Sequence, residues 1–181
     1  IRALSEMDIE AKNPRWAGVM AVFYPNAEGE TTLVLILRKT YKGVHSNQVG
    51  FPGGKAETFD QSIKHTALRE TEEEVGLAQS DIEVVKKLTK LYIPPSNFWV
   101  QPFIGYVKET PRFIKEEAEV EAILEVSLKQ FLDDKSVITQ RIDTSYGTML
   151  DVPAFYLAEH VVWGATAMML SEVKWALQQL D

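Results

Sequence analysis

The chain has no cysteine, only three histidines and no long hydrophobic run in its 181 residues. Without cysteine there can be no disulfide, thiolate metal site or cysteine nucleophile. The longest apolar runs, such as residues 16–24, are far too short to span a membrane, and the N-terminal segment lacks a basic region followed by an apolar core. We therefore expect a cytoplasmic protein that does not bind a membrane.

Positive charge is also scarce, since 19 lysines and arginines stand against 26 aspartates and glutamates, for a net charge of -7. Such a chain lacks the broad positive surface that binds nucleic acid. An anionic ligand must then be bound locally, and Arg38, Lys39 and Lys42 form a basic segment suited to a diphosphate. We predict that the protein binds a small anionic ligand and does not bind nucleic acid. A homodimer is possible on the sequence.

The pattern of apolar segments predicts a single domain over residues 1–181, with residues 1–15 as an irregular or short helical lead-in. The apolar content of 45% is sufficient for one buried core, and no repeat or low-complexity linker divides the chain. Residues 116–125 are expected to form a solvated helix or a strand edge. Strands are expected at residues 16–24, 31–38, 81–90, 98–107, 137–141 and 152–157, and the last two are expected to pair around a turn at Tyr146-Gly147. A short helix is expected at residues 129–133, and a final helix is expected to begin at Trp163. This order predicts an α/β fold, an α/β/α sandwich around a mixed sheet.

One helix and the glycine turn before it are the most informative part of the chain. The Pro-Gly-Gly turn at residues 52–54 precedes a helical pattern from Asp60 or Gln61 to Val75, and Gly76 follows as a typical C-cap. An apolar stripe on this helix is expected to pack on the sheet, and it consists of Ile63, Ala67, Thr71 and Val75.

Three acids of the same helix, Glu70, Glu73 and Glu74, are spaced so that their carboxylates project from one face. Like charges at this spacing repel by roughly a few tenths of a kcal/mol per exposed pair unless a cation neutralises them. Oxygen ligands without cysteine or clustered histidine favour Mg²⁺ or Mn²⁺ over Zn²⁺. Arg69, one turn before Glu73, is suited to hold a carboxylate through a forked bond. A solvated acidic face is the alternative that this spacing leaves open.

Residues 69–77, RETEEEVGL, resemble the end of the nudix box, G-x5-E-x7-R-E-U-x-E-E-x-G-U, in which U is aliphatic. The arginine, three glutamates, the glycine and the last aliphatic residue match at fixed spacing. Thr71 replaces the usual aliphatic residue. The spacing from Gly54 to Arg69 is one residue longer than in the general box, so neither Glu57 nor Asp60 falls on the first glutamate position.

The longer loop resembles one branch of that family, the coenzyme A pyrophosphatases, whose box is similar to FPGGK-x-D-x-x-D-x5-TALREAxEEVGL. Residues 51–55, Glu57, Asp60 and residues 66–70 stand in the corresponding places. An upstream signature of this branch, LLT-x-R-S-x3-R-x-H-x-G-x3-FPGG, is matched by Arg38 and His45. Lys39, Lys42 and Asn47 depart from it, in the segment that the resemblance implies would contact substrate.

The resemblance implies the nudix fold and metal-dependent hydrolysis of a nucleoside diphosphate derivative. Coenzyme A or acyl-coenzyme A is the expected substrate, giving 4'-phosphopantetheine and adenosine 3',5'-bisphosphate. It implies Mg²⁺ or Mn²⁺ at the three glutamates of the helix and a further carboxylate from a distant loop as ligand or base. Glu119, ahead of Glu116 and Glu117, is the candidate for that carboxylate because it precedes Val120 in a run similar to the family's EVxxxxEVPL.

Roles for the site residues follow from the residue types and from this resemblance. Glu70, Glu73 and Glu74 are expected to hold the metal, and Glu70 or Glu119 to take a proton from the attacking water. Arg69 is expected to orient the acids. Arg38, His45, Gly53 and Gly54 are expected to contact substrate, the glycines by allowing close backbone approach.

Two other functions remain open at this point. A nudix hydrolase of ADP-ribose or of another nucleoside diphosphate derivative would need the same acidic helix. The second alternative is not an enzyme but a nudix scaffold that binds nucleotide without catalysis. Loss of the acids of the nudix box would indicate such a scaffold. None of the three glutamates of the box is lost.

Overall fold

The computed structural model of the protein describes residues 5–39, 48–143 and 149–180. The helices in these residues are α1 (Glu6–Glu10), α2 (Ile63–Val75), α3 (Leu128–Leu132) and α4 (Gly164–Gln178), with 3-10 turns at Gln79–Asp81 and Asp134–Ser136. The strands are β1 (Arg15–Pro25), β2 (Thr31–Arg38), β3 (Val49–Gly50), β4 (Gly53–Lys55), β5 (Glu83–Lys87), β6 (Leu91–Ile93), β7 (Phe98–Tyr106), β8 (Val120–Ser127), β9 (Val137–Asp143), β10 (Met149–Leu157) and β11 (His160–Val162). None of the helices in these ranges is long and apolar enough to cross a membrane.

The larger sheet is mixed, as expected. Its strand order is β3-β2-β1-β7-β5, with β4 also paired to β1, β6 to β7 and β8 to β2. Strands β1 and β7 run parallel, and the other pairs are antiparallel. The pairing of β2 with β8 places Val120 beside Arg38, so the loop before β8 ends next to the basic end of β2.

Strands β1 and β2 are buried on both faces, which confirms the prediction from their apolar composition. Side chains of β1 alternate between two clusters: Val19 and Phe23 lie in one, Met20 and Val22 in the other. The first cluster is covered by α4 and the small sheet β11-β10-β9, and the second by α2. The sheet therefore has a helical layer on each face.

Helix α2 lies against the sheet along the expected stripe. Ala67, Thr71 and Val75 are fully buried, and Ile63 packs at the edge of the same cluster. Thr71 takes an aliphatic position without leaving a polar group unsatisfied, because its hydroxyl donates to the carbonyl oxygen of Ala67 at 2.6 Å. Gly76 ends the helix at φ 72°, the left-handed C-cap that the sequence predicts.

The close approach of α2 to β1 depends on Gly18. A Cβ at this position would overlap the carbonyl oxygen of Ile63 and lie 2.9 Å from the amide nitrogen of Ala67. We expect Gly18→Ala to lower the free energy of unfolding by about 1–3 kcal/mol, the usual cost of overpacking a core. Urea denaturation tests this, with Gly50→Ala as the control because a Cβ at Gly50 would make only ordinary contacts. Equal midpoints for the two variants would contradict it.

Several boundaries differ from the expected ones. Helix α2 begins at Ile63 and not at Asp60 or Gln61, because the Ser62 hydroxyl caps it by accepting from the amide of His65. The strand expected over residues 81–90 is shorter, since the 3-10 turn at Gln79–Asp81 precedes β5. Residues 116–119 form a loop and Val120 starts β8, so the acidic run is mostly a strand. The turn expected at Tyr146-Gly147 lies outside the described residues.

Candidate active site

Arg69 lies at the centre of a network of carboxylates in the candidate site. Its Nε and Nη2 donate to the two oxygens of Asp60 at 2.9 and 3.0 Å, and its Nη1 donates to Glu70 at 2.7 Å. The same Nη1 contacts Glu73 at 3.1 Å, and Nη2 reaches the carbonyl oxygen of Lys55 at 3.2 Å. Arg69 therefore orients several acids and the strand β4, a wider role than holding one carboxylate.

Asp60 is a member of this network that the sequence analysis did not assign to the site. Its side chain is only 2% exposed, and besides Arg69 it accepts from the Thr66 hydroxyl and the Glu57 amide, both at 2.9 Å. The bonds from Arg69 lower the pKa of Asp60 far below its usual range. Asp60 therefore stays ionised, and from the loop before α2 it fixes the position of the Arg69 guanidinium. The sequence feature that could have identified Asp60 is an acidic residue at the loop position that corresponds to an aspartate in the coenzyme A pyrophosphatase pattern.

The three glutamates of the helix, expected to project from one face, do not share one environment. The side chain of Glu73 is 56% exposed and that of Glu70 is 15% exposed, while that of Glu74 is 1% exposed. Burial raises the pKa of Glu70, the bond from Arg69 opposes this, and the charges of Glu73 and Glu119 add smaller increases. Glu119 therefore lies near enough to Glu70 for their charges to interact.

The carboxylate of Glu74 accepts hydrogen bonds from two donors, one at the end of β2 and one in the glycine turn. The Nη1 of Arg38 donates to its Oε1 at 2.9 Å, and the amide of Gly53 donates to its Oε2 at 2.8 Å. The Nη2 of Arg38 also donates to the carbonyl oxygen of Gly53 at 2.8 Å. Burial raises the pKa of Glu74 to about 7, against the opposing effects of Arg38 and the Gly53 amide. Arg38, expected to contact substrate, is thus placed at the acidic helix.

The glycine turn lies directly against the acids. A Cβ on Gly54 would overlap Oε2 of Glu70 and lie 2.6 Å from its carboxyl carbon. Gly53 has φ 151°, and a Cβ there would lie 2.5 Å from the Cα of Val19. Gly53 therefore requires glycine, for its backbone conformation and for its contact with β1, and a side chain at Gly54 would displace the Glu70 carboxylate.

The loop before β8 is attached to the end of α2 by backbone hydrogen bonds. The amides of Ile114 and Glu116 donate to the carbonyl oxygens of Val75 and Glu74 at 2.9 and 3.0 Å. The carbonyl oxygen of Glu119 accepts from the amide of Lys39 at 2.9 Å. These bonds place Glu119, whose side chain is exposed, beside the end of β2.

A pocket of about 450 Å³ lies next to the glycine turn. Arg38 and Lys55 provide positive charge at the end formed by Gly53 and Gly54. The remaining walls are mostly apolar, and they include Val49, Phe51, Ile93, Pro95, Phe98, Val100, Trp163 and Met169. The pocket thus combines a cationic end beside the acids with an apolar remainder, as small-molecule sites commonly do. His45 lies outside the described residues.

The donors at this site fit a hard divalent cation by their chemistry. Glu70, Glu73, Glu74 and Glu119 offer carboxylate oxygens, and the backbone of Gly53 and Gly54 lies against two of them. In the conformation of the described residues, however, no three acidic or histidine side chains converge as a metal site. The reason is visible in the contacts: Arg38 holds Glu74, and Arg69 holds Glu70 and Glu73.

A model of the NUDIX domain matches residues 14–142, more than half of the chain. The chain belongs to the NUDIX family. Among its NUDIX relatives, Nudix hydrolase 15, mitochondrial, of Arabidopsis thaliana is 30% identical over 168 residues, which are 90% of this chain and 59% of that protein. The uncharacterized Nudix hydrolase NudL of Yersinia pestis (strain Pestoides F) is 35% identical over 141 residues, which are 78% of this chain and 70% of that protein. The chain therefore spans less than two thirds of the length of the plant relative.

The NUDIX fold is also found by comparison with solved structures. The Nudix hydrolase RenU from M. smegmatis superposes with a TM-score of 0.63 at 13% sequence identity, over 93% of this chain and 88% of that one. This likeness confirms the expected fold, a mixed sheet with helices. The segment that resembles the nudix box is α2 with its preceding glycine turn.

Proposed function

We propose that this chain is a metal-dependent hydrolase of the diphosphate linkage in nucleoside diphosphate derivatives, with coenzyme A or acyl-coenzyme A as its substrate. The observation that carries the proposal is the position of Glu70. It lies on α2, oriented by Arg69, against Gly54, which lines the pocket together with Arg38 and Lys55. A diphosphate bound by those cations would lie beside a cluster of acids.

The residues that would hold Mg²⁺ or Mn²⁺ are Glu70, Glu73 and Glu74, with Glu119 as a further ligand or as the base. When bound, the cation neutralises diphosphate oxygens and lowers the pKa of a water molecule. Arg69 orients Glu70 and Glu73, and burial raises the pKa of Glu70, which makes its carboxylate a stronger proton acceptor.

The reaction forms one bond and breaks one. The water oxygen bonds to a phosphorus of the diphosphate, and the bond from that phosphorus to the bridging oxygen breaks. The bridging oxygen stays on the other phosphate, and Glu70 or Glu119 takes the proton of the water. For coenzyme A the products are 4'-phosphopantetheine and adenosine 3',5'-bisphosphate. Lys55 and Arg38, which line the pocket, would stabilise the charge of the separating phosphates.

Coenzyme A is favoured by the long loop before α2 and by the apolar part of the pocket. The loop is the segment in which the chain resembles the coenzyme A pyrophosphatases, and it supplies Asp60, the partner of Arg69. The walls that include Phe98 and Trp163 suit a base or a pantetheine arm beyond the diphosphate. ADP-ribose has the same diphosphate linkage but a second ribose in place of that arm.

A comparison of substrates tests the proposal. We expect the largest kcat/KM for coenzyme A or acetyl-coenzyme A when products are separated by chromatography with Mn²⁺, and no turnover after the metal is removed with EDTA. Diadenosine polyphosphate and ADP-ribose are the competing substrates. A larger kcat/KM for ADP-ribose would overturn the substrate, and no hydrolysis of any of the four would favour a nucleotide-binding scaffold.

A further inference from the structure

We propose that Arg38 is an exchangeable counter-ion of Glu74, which competes with the cation for this carboxylate and binds the diphosphate once it is displaced. Arg38 would then be a positioning residue that couples cation binding to anion binding. The inference rests on the proposed function, since it takes Glu74 as a ligand and a diphosphate as substrate. It concerns only how these two binding events depend on each other.

The first support is the way in which Glu74 is satisfied. Its side chain is 1% exposed, and the charge of a carboxylate so deeply buried needs a compensating positive charge. The Nη1 of Arg38, at 2.9 Å from Oε1, supplies that charge, while Oε2 is occupied by the amide of Gly53 at 2.8 Å. A cation that approaches Oε1 therefore meets the guanidinium in its place.

The second support is the position of Arg38 itself. Its side chain is 29% exposed, far more than that of its partner, and it lines the pocket beside Gly53, Gly54 and Lys55. A guanidinium released from Glu74 therefore remains at the cationic end of the pocket. Its planar fork fits two diphosphate oxygens as well as it fits a carboxylate, so the same group can serve both partners in turn.

Such an exchange makes the two ligands cooperative. An anion that binds Arg38 frees Glu74 and so strengthens cation binding, and by linkage the cation strengthens anion binding by the same factor. Couplings of this kind commonly amount to about 5–150-fold. Part of any coupling comes from direct contact between cation and diphosphate, so the part due to Arg38 is the difference between the wild type and an Arg38 variant.

Binding of Mn²⁺ measures this difference. Free Mn²⁺ is followed by electron paramagnetic resonance, with and without the non-hydrolysable α,β-methylene analogue of ADP. For Arg38→Gln we expect Mn²⁺ alone to bind at least as tightly as to the wild type, because no guanidinium must be displaced. We expect the strengthening of Mn²⁺ binding by the analogue to be at least fivefold smaller than in the wild type.

Lys55→Gln is the matched control, because it removes a positive charge from the same pocket but does not contact Glu74. We expect it to weaken binding of the analogue while the affinity of the nucleotide-free protein for Mn²⁺ stays within twofold of the wild type. If Arg38→Gln shows the wild-type coupling, or weaker binding of Mn²⁺ alone, the exchange is wrong and the proposed function stands. If the wild type binds no Mn²⁺, both fail.

A measurement on the wild type guards against loss of folding in the variant. The guanidinium protons of Arg38, assigned by comparison with Arg38→Lys, are expected to exchange slowly with solvent while they are bonded to Glu74 and Gly53. Addition of Mg²⁺ should abolish this protection, and the diphosphate analogue should restore it with a different chemical shift. Unchanged resonances through both additions would overturn the exchange.

Discussion

Glu70→Gln is expected to lower kcat by about 10²–10⁴-fold, the usual contribution of general acid–base catalysis, with little change in melting temperature. The substitution keeps the shape of the side chain, and the amide oxygen can still accept from Nη1 of Arg69 and lie against Gly54. What it removes is the negative charge, and with it a metal ligand and a proton acceptor. Product formation with saturating Mn²⁺ and thermal melting followed by circular dichroism measure both effects.

Glu72→Gln is the matched control for this prediction. Glu72 lies on the same helix and is exposed, but its carboxylate accepts from Nε2 of Gln79 at 2.6 Å, away from the Arg69 network. The same chemical change there should alter kcat by less than twofold. If Glu70→Gln retained wild-type turnover, Glu70 would be neither base nor essential ligand, and Glu119→Gln would become the decisive variant.

The elements that position the site were predictable where local pattern and tertiary packing agree. Strands β1 and β2 are apolar enough to indicate burial on both faces, and α2 has both a packing stripe and the C-cap Gly76. Strands of two or three residues, such as β3, β4 and β6, are too short to show a period of two residues. Their pairing depends on the neighbouring long strands, which only the folded chain brings together.

The different fates of the acids could not be predicted from their spacing. Helical geometry places Glu70 and Glu74 one turn apart on one face, which the structure retains. Whether a carboxylate on that face is buried depends on what covers it, and Glu74 is covered by Arg38, which is 36 residues away in the chain. Asp60 was missed for a related reason, because a fixed spacing from Arg69 does not describe a loop that folds back on the helix.

Arg69→Met is expected to lower the free energy of unfolding by about 3 kcal/mol, since it removes the positive charge that compensates the buried carboxylate of Asp60. Asp60, only 2% exposed, loses two bonds from Nε and Nη2, and the methionine covers a similar area without replacing them. Arg112→Met, at an exposed arginine outside the network, should change stability by less than about 0.5 kcal/mol. Urea denaturation at neutral pH compares the two variants.

The pH dependence of the same comparison identifies Asp60 as the cause. Because its folded-state pKa is lowered, the stabilisation from its pairing with Arg69 is fully present above the unfolded pKa of about 4. It declines progressively as the pH falls from there through the lowered folded-state pKa. The stability difference between the wild type and Arg69→Met should therefore shrink on acidification. Asp60→Asn in the Arg69→Met background should recover part of the loss at neutral pH, since no unpaired charge remains. A difference that stays constant from pH 7 to pH 3 would instead assign the loss to packing.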